Sequence, residues 1–500
     1  MVRDRAFAHY FGNSDAADAF RAAFRIPNFL QNLFGEGVLS ASFIPVYARL
    51  NAEDRKGDAS QLAEAVFALL FFVTTVLVVA GVFATPWLID LIAPGFHGDK
   101  RQLTIQLVQI LFPGAALLVL SAWCLGILNS HHKFFLSYAA PVVWNAAMIT
   151  TLIWGGRQHT ETRLAVLLAI GSVVGSGLQF AVQLPTVMRF LLPLRLRLDF
   201  TSEHMHSVVR NFFPVFLSRG VVQISAYIDS WLASFLGTGG VSALGYAQTL
   251  YTLPVSLFGM AVSAAELPTM SSALGTEAEI ADVLRQRLEQ GLRQIAFFVI
   301  PSAVAFVLLG DVIVATIYRS GHFQVADVHF VWAVLAGSAV GLLASTSGRL
   351  YSSAFYALRN TRTPLKFATL RVALTLGLGY LCALPLPRLL GLDQRWGTAG
   401  LTFSAGIAGW LEFVLLRSSL HKQIGTMKSA GSRIARLWLV AIVAAVISFG
   451  IKLVLPLKEP LLVGPCVLIP YAGFYVAVTQ WMGIASMGAI GRRFTRRQKV

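Results

Sequence analysis

The sequence predicts an all-α polytopic membrane protein with two pseudo-symmetric or inverted six-helix lobes followed by two C-terminal helices. Hydrophobic residues make up 56% of its 500 residues and charged residues only 13%, whereas soluble domains carry about 25% charged residues. Apolar runs of roughly 20 residues recur along the chain, and each is long enough to cross a hydrocarbon core. These runs do not alternate between polar and apolar residues, so a membrane β-barrel is excluded.

Twelve apolar runs predict the membrane-spanning helices numbered 3 to 14. They lie near 62–92, 103–127, 135–156, 163–187, 208–236, 240–270, 291–317, 326–352, 366–386, 398–420, 432–455 and 460–485. Residues 15–50 form a more polar helix, predicted helix 2. Residues 3–12 look like the end of predicted helix 1, whose beginning is absent.

An internal repeat defines the expected domains. The segment FGEGVLSASFIP (34–45) resembles FGMAVSAAELP (258–268), and the same offset superimposes helices 3–6 on helices 9–12. Two such halves that meet at a central site are typical of transporters. We therefore expect an N-lobe at 1–190, a C-lobe at 191–425, two further helices at 426–490 and a basic tail at 491–500.

The positive charge is placed as in a membrane protein. The formal net charge is +16, but Lys and Arg concentrate in alternate loops between the apolar runs and in the C-terminal tail. This asymmetry predicts that those loops and the C-terminus are cytoplasmic. No basic stripe is interleaved with exposed aromatic residues, so nucleic-acid binding is not expected.

Predicted helix 2 carries charges at membrane depth, in RIPNFLQNLFGEGVLSASFIP (25–45). One face of this helix carries its polar residues, namely Ser14, Asp18, Arg21, Arg25, Asn32 and Glu36. Such residues normally face a cavity or a bundle interior. Asp18 could pair with Arg21 and Arg25 as a structural clamp. Two cations beside one acid would still leave one positive charge, which suits an anionic ligand. Pro27, Gly35 and Gly37 would let the helix bend.

Predicted helix 7 contains Arg219 and Asp229 within an apolar span. They are about 15 Å apart along a helix, so each needs another partner. Arg371 is the expected partner of Asp229. Arg219 either joins the charges of helices 1 and 2 or extends to the membrane interface.

Two cytoplasmic loops, NSHHKFF (129–135) and ALRNTRTP (357–364), occupy equivalent places in the two halves. They are either ordinary positive loops or a gate that attracts phosphate through Lys133, Arg359 and Arg362. The adjacent histidines 131 and 132 lack further ligands at zinc spacing, so no metal site is expected. No catalytic signature such as GxxxxGK, HExxH or GxSxG occurs, so we expect a transporter and not an enzyme.

The N-terminal stretch RDRAFAHYFGNSDAADAFRAAFRIPNFLQNLFGEGVLSASFIPVYARL resembles the signature of the MurJ (MviN) family, the lipid II flippases of the MOP transporter superfamily. The resemblance continues through APGF (93–96), GILNSHHKFF (126–135), QLP (183–185), YAQTLYTLP (246–254) and FYALRNTRTP (355–364). It covers nearly the whole chain.

The resemblance implies a fourteen-helix fold in which two lobes face a cationic cavity. It further implies flipping of the undecaprenyl-pyrophosphate-linked cell-wall precursor lipid II across the bacterial plasma membrane, by a monomer that contacts membrane lipids and the cell-wall synthesis machinery. Arg3 and Asp18 match family residues thought to line the substrate cavity. The expected cavity residues are Arg3, Asp18, Arg21, Arg25, Asn28, Glu36 and Arg219.

The chain departs from the family pattern at several positions. Family arginines align with Gln31 and Thr249. The first turns of helix 1, with their own family arginine, are missing, as in a truncated chain. Arg21 and Arg219 are expected to replace the positive charge of these arginines. No cofactor is expected, and the membrane potential is a candidate driving force. Sodium binding is not favoured, because predicted helix 11 offers Arg371 and no acid. Export of another lipid-linked glycan or a drug, or a transport-inactive scaffold, remain the alternatives.

Overall fold

A computed structural model describes residues 1–191, 202–426, 431–456 and 459–484 of the chain. Within helices, the side chains of residues 36–37, 213–215 and 217–226 lie outside this description. The described residues form helices joined by turns and loops, with no strand among them. The chain divides into two compact units, Met1–Ser242 and Ala243–Val500. The boundaries expected at 190, 425 and 490 rest on the internal repeat and remain predictions.

Nine helices occur among the described residues of the first unit. They are α1 (Val2–Phe11), α2 (Asp15–Phe34), α3 (Glu36–Ser42), α4 (Ile44–Ala52), α5 (Lys56–Ile92), α6 (Gly98–Ser130), α7 (Phe134–Gly155), α8 (Glu161–Met188) and α9 (Glu203–Ala233). Polar side chains join the long helices α6 and α8 inside this unit. The Ser121 hydroxyl donates to Gln183 Oε1 at 2.7 Å, and Gln179 Nε2 donates to Ser121 Oγ at 2.9 Å. Such bonds satisfy polar groups that hydrocarbon would leave without partners.

Predicted helix 2 is three helices and not one. The Ser14 side chain caps α2 by accepting a hydrogen bond from the Ala17 N–H, a position that Ser favours. Helix α2 continues through Pro27 and ends at Gly35. A Cβ atom at Gly35 would lie 2.2 Å from the Gln31 carbonyl oxygen, so only glycine fits this break. Gly35, one of the residues at which bending was expected, therefore ends the helix.

The second unit begins within α10 (Gly240–Pro254) and continues with a π-helix (Val255–Met260) and α11 (Ala261–Ser271). The remaining helices are α12 (Glu277–Leu308), α13 (Gly310–Tyr318), α14 (Val325–Val340), α15 (Leu342–Ala357), α16 (Arg362–Ala383), α17 (Pro385–Leu389), α18 (Gly397–Ile424), α19 (Gly431–Val454) and α20 (Pro460–Trp481). A short 3-10 turn, Gln394–Trp396, precedes α18.

Ten helices of the described chain are long and apolar enough to cross a membrane, or eleven if α14 and α15, bent by 40°, form one span. These eleven correspond to eleven of the twelve predicted apolar runs. The remaining run, 208–236, falls on α9, where many side chains lie outside the described part of the chain. The predicted multi-pass helical fold is confirmed.

Both segments of the internal repeat interrupt a regular α-helix. In the first unit the break is at Gly35, and in the second unit the π-helix Val255–Met260 contains Phe258 and Gly259. π-helical turns are rare and are often found at functional sites. The two equivalent loops also share a backbone geometry, because His132 and Arg359 have φ values of 58° and 57°. The repeat is therefore visible in local structure as well as in sequence.

Candidate functional site

The first unit brings two arginines to one buried carboxylate. Asp4 lies on α1 with its side chain only 10% exposed, and its Oδ1 atom is 3.6 Å from Arg3 Nη2 and 3.8 Å from Arg21 Nη2. The Arg3 and Arg21 side chains are 28% and 19% exposed, respectively. The family resemblance and the helix-2 pattern predicted the two arginines, but they missed Asp4. Its position beside Arg3 in a short polar segment was the signal available.

Aromatic rings form the wall on which these arginines lie. The Arg3 guanidinium carbon is 5.3 Å from the centroid of the Trp144 ring, and that of Arg21 is 5.1 Å from the Phe7 ring. The Trp144 indole N–H donates to the Ser172 carbonyl at 3.1 Å, which fixes the ring. A guanidinium over an aromatic face is held in place by the attraction between the cation and the ring.

Arg25 extends the positive charge along α2 toward α9. The Tyr227 hydroxyl donates to the Arg25 carbonyl oxygen at 2.6 Å, and the Arg25 guanidinium carbon is 5.9 Å from the Tyr227 ring. The Arg25 guanidinium is attracted by the Asp229 carboxylate and repelled by Arg21. Asp229 is thus an electrostatic partner of Arg25. Arg371 pairs with Glu412 at 3.1 Å, and its role as a candidate partner of Asp229 stays a prediction.

We call Arg3, Asp4, Arg21, Arg25 and Asp229 the arginine cluster. Its three guanidinium groups face two carboxylates, so the cluster keeps one positive charge in excess. Charges at membrane depth are costly and mark functional sites. Guanidinium groups bind phosphate oxygens through strong, often bidentate hydrogen bonds. The arrangement can therefore hold a phosphate or pyrophosphate anion.

Asp18 has a structural environment that the sequence did not predict. Its side chain is fully buried (0% exposed), and Lys100 Nζ lies 2.7 Å from Oδ2. The backbone N–H groups of Gly239 and Ser242 donate to Oδ2 and Oδ1 at 2.8 and 2.7 Å. Both carboxylate oxygens are therefore occupied. The partners of Asp18 shown here are thus Lys100 and two backbone amides, and its place in a substrate cavity stays a prediction, as does the alternative clamp with Arg21 and Arg25.

Lys100 completes this second set of charges. Its ammonium also lies 2.9 Å from Asp15 Oδ1, and Thr238 donates to the same oxygen at 2.9 Å. The segment 237–242 is thereby tied to the first turn of α2 and to the start of α6. Lys100 lies 82 residues beyond Asp18, so helical periodicity could not have identified this partner.

The other predicted residues are dispersed. Asn28 is half-buried on α2, and the side chains of Glu36 and Arg219 lie outside the described residues. Lys133, Arg359 and Arg362 are exposed at helix ends, with Lys133 capping α7 and Arg362 opening α16. Their geometry fits a positive loop as well as a gate, so the gate remains a prediction.

One of these loops contains a half-buried histidine. The Tyr47 hydroxyl is 2.9 Å and the Asn51 amide nitrogen 3.3 Å from His131 Nε2. Both groups thus lie within hydrogen-bonding distance of the same ring nitrogen. The Phe190 ring stacks on the imidazole at 4.0 Å. Burial lowers the pKa of His131, and the neighbouring His132 lowers it further.

Comparison with known proteins identifies a consistent set of relatives. The family model described as "Lipid II flippase MurJ" matches residues 7–469. The chain is 30% identical over 519 residues to a "Probable lipid II flippase MurJ" from Rhizobium tropici, with all of this chain and 94% of that protein covered.

Solved structures agree with this assignment. One titled "Lipid II flippase MurJ, inward closed conformation" matches with a TM-score of 0.74 at 25% identity and covers 96% of each chain. An inward-facing multidrug resistance MATE family transporter of the MOP superfamily matches with a TM-score of 0.69 at 17% identity, over 85% of this chain and 96% of that one. This second likeness concerns the fold alone.

Proposed function

The chain belongs to the lipid II flippase MurJ family, and we propose that it moves lipid II across the bacterial plasma membrane by binding the pyrophosphate at the arginine cluster. The observation that carries this proposal is the excess of guanidinium groups over carboxylates on α1, α2 and α9. Arg3 and Arg21 share Asp4 at 3.6 and 3.8 Å and stay partly exposed. A polar, multiply charged headgroup needs such a site to leave water.

The neighbouring aromatic residues support the same role. Trp144 and Phe7 hold the guanidinium groups of Arg3 and Arg21 from one side. Little side-chain entropy is then lost when the pyrophosphate binds, because the groups are already oriented. The Asp229 carboxylate attracts the Arg25 guanidinium and so helps to hold it at the cluster. The cluster would release its ligand as the protein alternates between its inward-open and outward-open states, a step for which the membrane potential can supply about 2.3 kcal/mol per charge per 100 mV.

The proposed topology has the C-terminus and the loops at 129–135 and 357–364 in the cytoplasm, and the functional unit is a monomer. The orientation is supported by the Lys and Arg content of those loops. With this orientation the headgroup enters from the side where lipid II is made. Contacts with the cell-wall synthesis machinery would use the exposed loops.

The direct test of activity is rescue of a bacterium depleted of its own lipid II flippase. The 500-residue chain is expressed and its membrane abundance is checked. Lipid II in the outer leaflet is then quantified with a reagent that does not cross the membrane. We expect growth and a return of outer-leaflet lipid II. Normal abundance with neither result would favour another lipid-linked substrate or a scaffold.

A further inference from the structure

A charged cavity of about 370 Å³ lies in the second unit. It is lined by α13, α14, α19 and the start of α20, and its polar residues are Asp311, Thr316, Arg319, His329 and Lys452. The loop 319–324 beside it is on the face that the charge pattern predicts to be extracytoplasmic. The proposed transport mechanism uses none of these residues.

We propose that this cavity binds the headgroup of a zwitterionic phospholipid, with phosphatidylethanolamine as its occupant. The chemistry of the walls carries the proposal, because both signs of charge are present. Arg319 and Lys452 supply two cations to the lining of the cavity, and Asp311 supplies one carboxylate. A phosphate can bind the two cations while a primary ammonium binds the carboxylate.

The Asp311 carboxylate has an unmet hydrogen-bonding requirement. One of its oxygens pairs with Lys452 Nζ, and the other, Oδ1, is enclosed without a donor among the described residues. A buried acceptor that lacks a donor costs free energy. The ammonium of an ethanolamine group would provide the donor after a small rotation of the carboxylate. A choline group carries no N–H and could not provide it.

The surroundings indicate a lipid and not a free phosphate. Next to Lys452, the side chains of Leu453 and Val454 are 71% and 84% exposed, and Leu461 follows the cavity residue Pro460 with 55% exposure. Large apolar side chains exposed in this way beside charged groups are typical of a membrane interface. The acyl chains would lie against these residues while the headgroup occupies the cavity.

The bound lipid would hold the last two helices to the rest of the second unit. The Thr316 hydroxyl of α13 already donates to the Pro460 carbonyl at 3.2 Å, and a Cβ atom at Gly464 would lie 2.3 Å from Thr316 Oγ1. Helices α13 and α20 are thus in close contact at this point. A headgroup that contacts Asp311 and Arg319 on one side and Lys452 on the other would strengthen that junction.

The test measures lipid retention by the purified full chain with native mass spectrometry. Delipidated protein receives dioleoyl-phosphatidylethanolamine, the phosphatidylcholine or phosphatidylglycerol analogue, or inorganic phosphate. We expect preferential retention of phosphatidylethanolamine. Arg319→Gln should reduce it by about tenfold through loss of one charge-assisted contact. Asp311→Asn should remove the preference over phosphatidylcholine. Arg388→Gln, an exposed arginine on the same predicted face, is the matched control and should change nothing.

A further variant protects the result against misfolding. Val325 lines the cavity and is 45% exposed, so Val325→Trp should fill the site without changing its charges and should also abolish retention. Equal retention of all three lipids, retention unaffected by Arg319→Gln and Val325→Trp, or displacement of the lipid by millimolar phosphate would overturn the proposal. Because no lipid II is present, a failure here is separate from a failure of flipping.

Discussion

Single residues show how the protein uses its charges for two different purposes. In the arginine cluster, guanidinium groups outnumber carboxylates and stay partly exposed. Around Asp18 and Lys100, every charge is paired and the carboxylate is closed to solvent. The first arrangement is available to an anionic ligand, and the second holds a loop against a helix.

The Asp18 set gives a stability prediction. Asp18→Asn removes the charge that pairs with Lys100, whose side chain is only 13% exposed, so we expect a loss of about 3 kcal/mol, because breaking a buried pair leaves an unpaired charge. The melting temperature of the detergent-solubilised protein measures the effect. Asp15→Asn is the matched control, since Asp15 contacts the same ammonium but is 56% exposed. Equal losses for the two variants would contradict the structural role.

A second residue-scale prediction concerns pH. The pKa of His131 is lowered in the folded protein from its ordinary value of 6.5. His131 therefore binds a proton more readily in the unfolded chain than in the folded protein. The contribution of neutral His131 to the free energy of unfolding is complete above pH 6.5 and is lost as the pH falls below that value. Thermal stability should decrease between pH 7.5 and 5.5.

The control for this effect is a pair of variants. His131→Gln should show a smaller decrease over the same range, while His159→Gln, a half-buried loop histidine elsewhere in the first unit, should behave as the unaltered chain does. A decrease that persists in full in His131→Gln would assign the pH dependence to other groups.

At the scale of elements, the break in the helix at Gly35 depends on one residue type. The Gly35 break separates α2, which carries two of the cluster arginines, from α3 and α4. Gly35→Ala places a methyl group 2.2 Å from the Gln31 carbonyl oxygen, so either the break or the turn before it must move. We expect reduced transport at normal abundance, measured by rescue of a flippase-depleted cell.

Gly57→Ala is the control for this substitution. Gly57 also lies in a helix, α5, and nothing is within 4 Å of a Cβ atom there. Alanine should be tolerated or slightly stabilising at this position, because it favours helix more than glycine does. If Gly35→Ala supports growth as well as Gly57→Ala, the break has no role in transport.

The elements also show what sequence could and could not predict. Apolar runs near 20 residues identified the spanning helices because burial in lipid leaves few other solutions. Predicted helix 2 was read as one helix, since a close approach such as that of Gly35 to Gln31 is invisible in a hydropathy pattern. Periodicity placed Arg21 and Arg25 on one face correctly. It could not find Lys100 or Asp4 as partners, because contacts between helices depend on tertiary packing.

On the scale of the whole molecule, the charge asymmetry makes a topological prediction. In a chain carrying Cys382→Ser and Cys466→Ser, the remaining Cys124 is buried. A cysteine introduced at Lys133 should react with a membrane-impermeant maleimide only after the cells are permeabilised, and one at Arg388 should react in intact spheroplasts. The opposite pattern would invert the orientation and with it the direction of substrate entry.

The family assignment also covers the whole molecule, and it came from quoted motifs that no physical argument alone would supply. The resemblance predicts that two family arginines align with Gln31 and Thr249 in this chain. In the structure, the Thr249 hydroxyl donates to the Gly245 carbonyl at 2.9 Å and carries no charge. If these positions do carry no arginine where relatives do, the positive charge on α2 is expected to carry more of the ligand binding in this chain. The replacement role expected of Arg219 stays a prediction, since its side chain lies outside the described residues.

The central claim is that the arginine cluster engages the pyrophosphate, and transport in vesicles tests it most directly. Purified protein is reconstituted with fluorescent lipid II, and the rate at which inner-leaflet lipid II becomes accessible to a membrane-impermeant quencher is measured. The double variant Arg21→Gln, Arg25→Gln should slow this rate by about tenfold or more, as expected for the loss of charge-assisted contacts. Arg49→Gln, an 80% exposed arginine on α4 that pairs with Glu53, should keep the rate of the unaltered chain. A double variant as fast as Arg49→Gln, at equal protein content, would contradict the account.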